Sequence, residues 1–204
     1  MPKTSYPLGS GSHVEVQWRG MWKDFTVRVD GREIGRADGQ AELKQGRQWT
    51  LPDGSTLAIV LEVGFAGGGL KLSRNGVPLP GSPDDPKTAL KSGAGVLFFI
   101  AGLNVVLGVA AELGRVEFLL AMGLGWITAG FGAVFAALGL ATLRGFVAAL
   151  WIGIVLFALD GAYGLFTVFE AGGTPPVGGL VFRVFLLAAM VKTAMAGRTR
   201  ARGA

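Results

Sequence analysis

Hydrophobic positions follow two different rules along this chain. Between residues 13 and 80 they alternate with polar ones: Val14, Val16 and Trp18, then Phe25, Val27 and Val29, then Leu57, Ile59, Leu61 and Val63, then Leu70 and Leu72. A period of two places one set of side chains on one face of a strand, so these runs predict half-buried β-strands. Between the runs stand Asp30-Gly31, Asp53-Gly54 and Asn75-Gly76, residue pairs that tolerate the positive φ of tight primed turns. Three such hairpins imply six or seven antiparallel strands, enough for a small sandwich or partly open barrel.

From Gly93 the alternation gives way to four long apolar stretches, at about Gly93–Ala111, Phe118–Leu143, Gly145–Phe169 and Val177–Gly197. Crossing about 30 Å of hydrocarbon at about 1.5 Å per helical residue takes roughly 20 residues, which each stretch supplies. The breaks at Glu112 to Glu117, Arg144 and Glu170 to Pro176 are too short to be domains. The expected fold is therefore an α+β membrane protein, with a small antiparallel β-sandwich or barrel-like head followed by a four-helix transmembrane bundle. The expected divisions are a flexible N-terminus over 1–12, the β domain over 13–80, a linker over 81–92, the helices over 93–197 and a basic tail over 198–204. Gly81-Ser82-Pro83-Asp84-Asp85-Pro86 reads as the linker because its prolines interrupt both strand and helix. Gly64 to Gly69 reads as a flexible loop or bulge, since no helix with Lys-Ser or Lys-Thr follows to make a phosphate cradle.

Charge changes the picture by giving the bundle an orientation. Lys87 and Lys91 precede the first helix, Arg144 lies between the second and third, and Lys192, Arg198, Arg200 and Arg202 close the chain. All three groups fall on one side of a four-pass protein, and basic flanks stay cytoplasmic. Both termini are thus expected in the cytoplasm, with the protein in the inner (cytoplasmic) membrane. Met1 to His13 has no apolar core of a signal peptide, which agrees. The absence of cysteine fits a reducing compartment. The net charge of +5 divides into 12 Lys plus Arg against 10 Asp plus Glu up to residue 92, and 7 against 4 after it. Signs in the head are interspersed, with neither the basic stripe nor the aromatics of a nucleic-acid surface.

Several segments of the first half, Trp18-Arg19-Gly20, Val27-Arg28-Val29-Asp30-Gly31, Leu51-Pro52-Asp53-Gly54-Ser55, Leu79-Pro80-Gly81-Ser82 and Phe98-Phe99-Ile100-Ala101-Gly102-Leu103-Asn104, carry a resemblance. With them the chain resembles an uncharacterised bacterial family of four-helix membrane proteins with an N-terminal cytoplasmic β domain. The resemblance implies the same architecture and no known activity.

Catalytic parts are scarce. With His13 as the single histidine and no cysteine, zinc sites, thiol nucleophiles and histidine-based triads lack their components. No Gly-x-Ser-x-Gly elbow occurs at a strand-to-helix turn. Asp84 and Asp85 beside prolines read as a solvated turn rather than a metal site. Neither an enzyme nor a cofactor is expected.

Polar residues within the apolar stretches carry the remaining information, because ionisable groups there are costly and face the bundle interior or one another. Asp160 lies about ten residues before the end of the third stretch and Arg183 about six into the fourth, depths of roughly 15 and 9 Å from the same side of the membrane. An ion pair across the last hairpin is expected. Asn104, mid-way along the first helix, is expected to hydrogen-bond a neighbouring helix. The second helix is glycine-rich, and Gly125 with Ala129, then Gly132, offer small positions for close packing within the bundle or between copies. Trp126 and Trp151 are candidates for interfacial belts. These features predict a non-catalytic multi-pass protein whose cytoplasmic β domain binds a protein partner or membrane surface, the helices being anchor and assembly platform. The lipid bilayer and a homo-oligomer are the other partners expected. The competing expectation is a small transporter, channel or lipid-handling protein working through Asp160, Arg183 and Asn104.

Overall fold

A computed structural model describes residues 1–9, 11–63, 69–117, 120, 124–170, 172–174 and 177–198, the last through its backbone only. The chain divides into two compact units, Met1–Thr88 and Ala89–Ala204.

In the first unit, strands β1 (Lys3–Gly9), β2 (Ser12–Arg19), β3 (Lys23–Val29) and β4 (Arg32–Ala37) form one antiparallel sheet in chain order. A short helix α1 (Gln40–Gln45) leads to a second, with β5 (Arg47–Thr50), β6 (Thr56–Glu62), β7 (Gly69–Arg74) and β8 (Val77–Pro78), again in chain order. The alternation does what it predicts. Val14 faces Val29 and Val16 faces Val27 in the first sheet, while Ile59 faces Leu72 and Leu61 faces Leu70 in the second. These pairs, with Phe25, Leu57 and Leu43 from α1, merge into one buried cluster fed by both sheets. Trp18 packs half-buried against the same cluster, although the register shifts between Gln17 and Arg19. Its ring stacks at 4.6 Å on Trp22, which holds a positive φ.

The turns explain the register. Asp30-Gly31 and Asn75-Gly76 both have positive φ at each residue, as a type I′ turn requires. Asp53 does not, so Asp53-Gly54 is no primed turn. It sits in a five-residue connection closed by Leu51 N–H donating to Ser55 O at 2.8 Å and Gly54 N–H to Leu51 O at 2.9 Å.

Within the expected free terminus, Lys3–Gly9 forms β1, which pairs along β2 and brings the strands among the described residues to eight. Its residues alternate poorly and include Pro7, which an edge strand accommodates. The expected linker is also structured. Ser82 is buried, its Oγ accepts the Leu72 N–H at 3.1 Å, and the segment thereby folds onto the second sheet. Asp85 then caps a helix, accepting from Thr88 N–H at 3.3 Å and Thr88 Oγ1 at 2.9 Å, with Pro86 at the first helical position.

Gly35 on β4 marks the tightest packing in the head. A β-carbon there would overlap the Trp49 indole of β5. Gly35→Ala is expected to cost about 1–3 kcal/mol through overpacking. Chemical denaturation followed by tryptophan fluorescence checks it.

Among its described residues the second unit has four helices long and apolar enough to cross a membrane, continuing α2 (Pro86–Leu113) with α3 (Trp126–Leu143), α4 (Val147–Glu170) and α5 (Val177–Arg198). Phe99, Phe131, Phe166 and Phe182 expose apolar rings that hydrocarbon, not water, suits. Helix α2 begins seven residues before the expected Gly93 because Asp85-Pro86 starts it. Helix α3 begins at Trp126 rather than Phe118; of the intervening positions 118, 119 and 121–123 lie outside the described residues. Gly145 ends α3 instead of beginning α4. At φ 95° it donates to Thr142 O while Phe146 N–H reaches Ala141 O, a paired closure of the last turn.

Helix α2 touches every other helix. Gly93 meets Leu150 and Thr193, Leu97 meets Gly153, and Gly197 meets Leu90. Phe135 and Phe157 join α3 to α4 edge to face, 6.2 Å apart. Beyond Phe157 on α4 and before Leu186 on α5 no described side chain is buried, so this end of the α4–α5 hairpin is the least covered part of the bundle.

Candidate functional site

The helices bring Asp160 and Arg183 together. Asp160 lies ten residues before the end of α4 and Arg183 six after the start of α5, a difference of about 6 Å along the hairpin that is within reach of the long arginine side chain. Arg183 Nη1 lies 2.9 Å from Asp160 Oδ2. Two neighbours on α4 make room for the guanidinium. Gly161 lacks the β-carbon that would stand 2.9 Å from Nη1, and the Phe157 ring lies 5.6 Å beneath the guanidinium carbon, within cation–π range. The charges are close but poorly aligned, for Arg183 Nη1 is shielded and has no hydrogen-bond acceptor in line among the described residues. The remainder of both groups is open, with 38% of the Arg183 side chain and 44% of Asp160 exposed.

Asn104 does not join them. The expected inter-helix bond is replaced by one within α2, where Asn104 Nδ2 donates to Ile100 O at 2.8 Å. In a helix the carbonyl four residues back is the nearest acceptor and costs no encounter with a neighbour. Thr142 likewise donates to Leu138 O, and Thr167 and Thr193 to the carbonyls three residues back, Gly164 O and Met190 O.

The three small positions pack α2 against α3, though not as one stripe inside a helix. Gly125 is the extended N-cap of α3, where a side chain would strike Glu112, whose Oε1 accepts the Trp126 N–H at 3.4 Å. That carboxylate stands at the positive end of α3. Gly108 of α2 sits against Gly125 O and Ala129, and Gly132 against Ala101 and Val105.

The head holds a second polar cluster that alternation does not announce. Arg74 at the end of β7 donates through Nε to Ser55 Oγ at 2.9 Å and through Nη1 to Leu8 O at 2.8 Å, and pairs with Asp53 through Nη2. It lines a hollow of about 100 Å³ with Leu8, Gly9, Val29, Asp30, Leu51 and Pro52. These residues come in equivalent pairs. Leu8-Gly9-Ser10-Gly11-Ser12 before β2 matches Leu51-Pro52-Asp53-Gly54-Ser55 before β6. Asp30 Oδ1 accepts the His13 N–H at 2.9 Å while Asp30 N–H returns to His13 O, and Asn75 makes the same two bonds with Thr56. The two sheets are copies of one design, with Arg74 standing where the first has Val29. The repeated Leu-x-x-Gly-Ser, 43 positions apart, was the signal in the sequence.

His13 is exposed near the start of β2. Asp84 pairs with Lys71 at 3.0 Å and Asp85 caps α2, so each carboxylate has a structural partner. The Asp53 carboxyl is held below the usual range by hydrogen bonds from the Ser55 hydroxyl and amide and by Arg74, and that of Asp30 by the His13 amide and Ser12. A depressed folded-state pKa gives stability that is present above the unfolded value, about 3.9 for Asp, and is lost as pH falls through the folded one. The head is therefore expected to weaken below about pH 4. Denaturation of the chain from pH 6 to 2 checks this, and Asp53→Asn should flatten the acid limb.

Set against family models, curated proteins and solved structures, the chain matches none.

Proposed function

We propose that this is a non-catalytic, multi-pass protein of the cytoplasmic membrane, with both termini in the cytoplasm. Its β head docks a protein partner, and the helices are anchor and assembly platform. The observation that carries this reading is how the polar groups of the helices are used. Asp160 and Arg183 neutralise one another, and Asn104, Thr142, Thr167 and Thr193 turn back onto their own helices. Hydroxyls and an amide closed on their own helices, and charges paired across one hairpin, are drawn away from a cargo, whereas a conducting path keeps polar atoms available to it. The orientation rests on the basic residues at Lys87, Lys91, Arg144 and Lys192, which fall at one set of helix ends.

The test is a crosslinking pull-down from native membrane, comparing the full chain with one lacking residues 1–86. A stoichiometric complex recovered with the full chain alone is expected. Recovery of the same species with both forms would remove the docking role from the head.

A further inference from the structure

We propose that the open face of the α4–α5 hairpin, at Asp160 and Arg183, docks a second copy of this chain as a two-fold dimer. This rests on the anchor reading and names what the platform assembles with. Within one copy the two charges touch at 2.9 Å yet keep 38% and 44% of their side chains exposed. Both groups continue the stripes, Gly153 to Phe157 on α4 and Leu186 to Met190 on α5, that the bundle buries further along, and here the stripes are left uncovered; hydrocarbon in that place solvates neither charge. The face is also where the bundle leaves its helices least covered.

The geometry selects the occupant. The carboxylate of Asp160 and the guanidinium of Arg183 lie side by side, on neighbouring antiparallel helices. A two-fold axis along the membrane normal preserves depth and sets α4 of one copy opposite α5 of the other. Asp160 then faces the Arg183 of the second copy and Arg183 faces its Asp160, giving a square in which every neighbour has the opposite sign. A single patch that complements itself is what an isologous interface requires. A lipid chain brings no charge to the face, and a headgroup anion would answer Arg183 while opposing Asp160. One turn from Asp160, Gly164 has open space where a side chain would stand, so the backbones can approach and bring the charges into reach.

The chain has no cysteine, so a single introduced thiol reports one position. Two differently tagged full-length copies, Gly164→Cys and Gly179→Cys, are reconstituted together in lipid nanodiscs and oxidised. A disulfide between the two tags is expected, because α4 faces α5 across the axis, while Ile127→Cys on α3 should give none. Single-molecule counting of the cysteine-free chain should find two copies per disc. Asp160→Asn should weaken the dimer about tenfold, since two symmetric contacts are lost. Asp160→Arg with Arg183→Asp should restore it, because the square survives exchange; this also separates a lost interface from a lost fold. The proposal is overturned by one copy per disc, by crosslinking through Ile127, or by a dimer indifferent to Asp160→Asn. A monomer that passes no ions overturns the dimer alone, whereas a monomer with Asp160-dependent flux overturns the anchor reading as well.

Discussion

Gly132→Leu is expected to pull α2 and α3 apart where their backbones come close. A β-carbon at Gly132 would lie 2.8 Å from Ala101 O and 2.9 Å from Val105 N, closer than real contacts allow. Both are backbone atoms of α2, so no side chain can swing aside and the helix axis must move. Alanine should already cost about 1–3 kcal/mol, and leucine more, because the displaced helix also loses the small-residue contacts at Gly108 and Gly139. The contrast lies two residues away. Gly130 on the same helix faces open space, so Gly130→Leu should leave stability nearly unchanged. Unfolding in mixed micelles, followed by helical circular dichroism, checks the pair.

The second large effect belongs to the head. Phe25 is fully buried where both sheets contribute to the core, and Phe25→Ala should cost about 3–5 kcal/mol. A unit of this size has roughly 5–15 kcal/mol to lose, so the substitution brings it close to unfolding. The chain separates into two units at Thr88, each with its own core, and the damage should stay in the first. Limited proteolysis is expected to digest the head of Phe25→Ala while fragments holding α2 to α5 persist. Loss of both together would show that the units fold as one.

The regular parts of this fold were legible because their signals are local. Val14, Val16, Phe25, Val27 and Val29 alternate, Asp30-Gly31 and Asn75-Gly76 adopt the turns their backbones favour, and the four apolar stretches are long enough to name themselves. What was missed depends on partners far along the chain. Strand β1 has one core residue, Tyr6, and exists because β2 offers an edge to pair with. Asp85-Pro86 carries both the breaking signal of a linker and the starting signal of a helix. The cap on Thr88 decides which one acts.

The candidate site divides in the same way. Asp160 and Arg183 were legible because charge is rare in apolar stretches and their offsets from the α4–α5 turn predict meeting. Asn104 was misjudged because its spacing from other helices says nothing about the Ile100 carbonyl always within its reach. Arg74 went unseen because its acceptors come from Leu8, Asp53 and Ser55, three places that only folding brings together. The repeated Leu-x-x-Gly-Ser carries the two-sheet design in the sequence itself.

The measurement that bears most directly on the anchor reading is ion flux through proteoliposomes holding the full chain, beside protein-free vesicles and vesicles holding Asp160→Asn. All three should leak alike, because the charged pair serves to join helices and not to carry ions. Flux above the protein-free level that changes with Asp160→Asn would contradict the account and make the α4–α5 pair part of a conducting path.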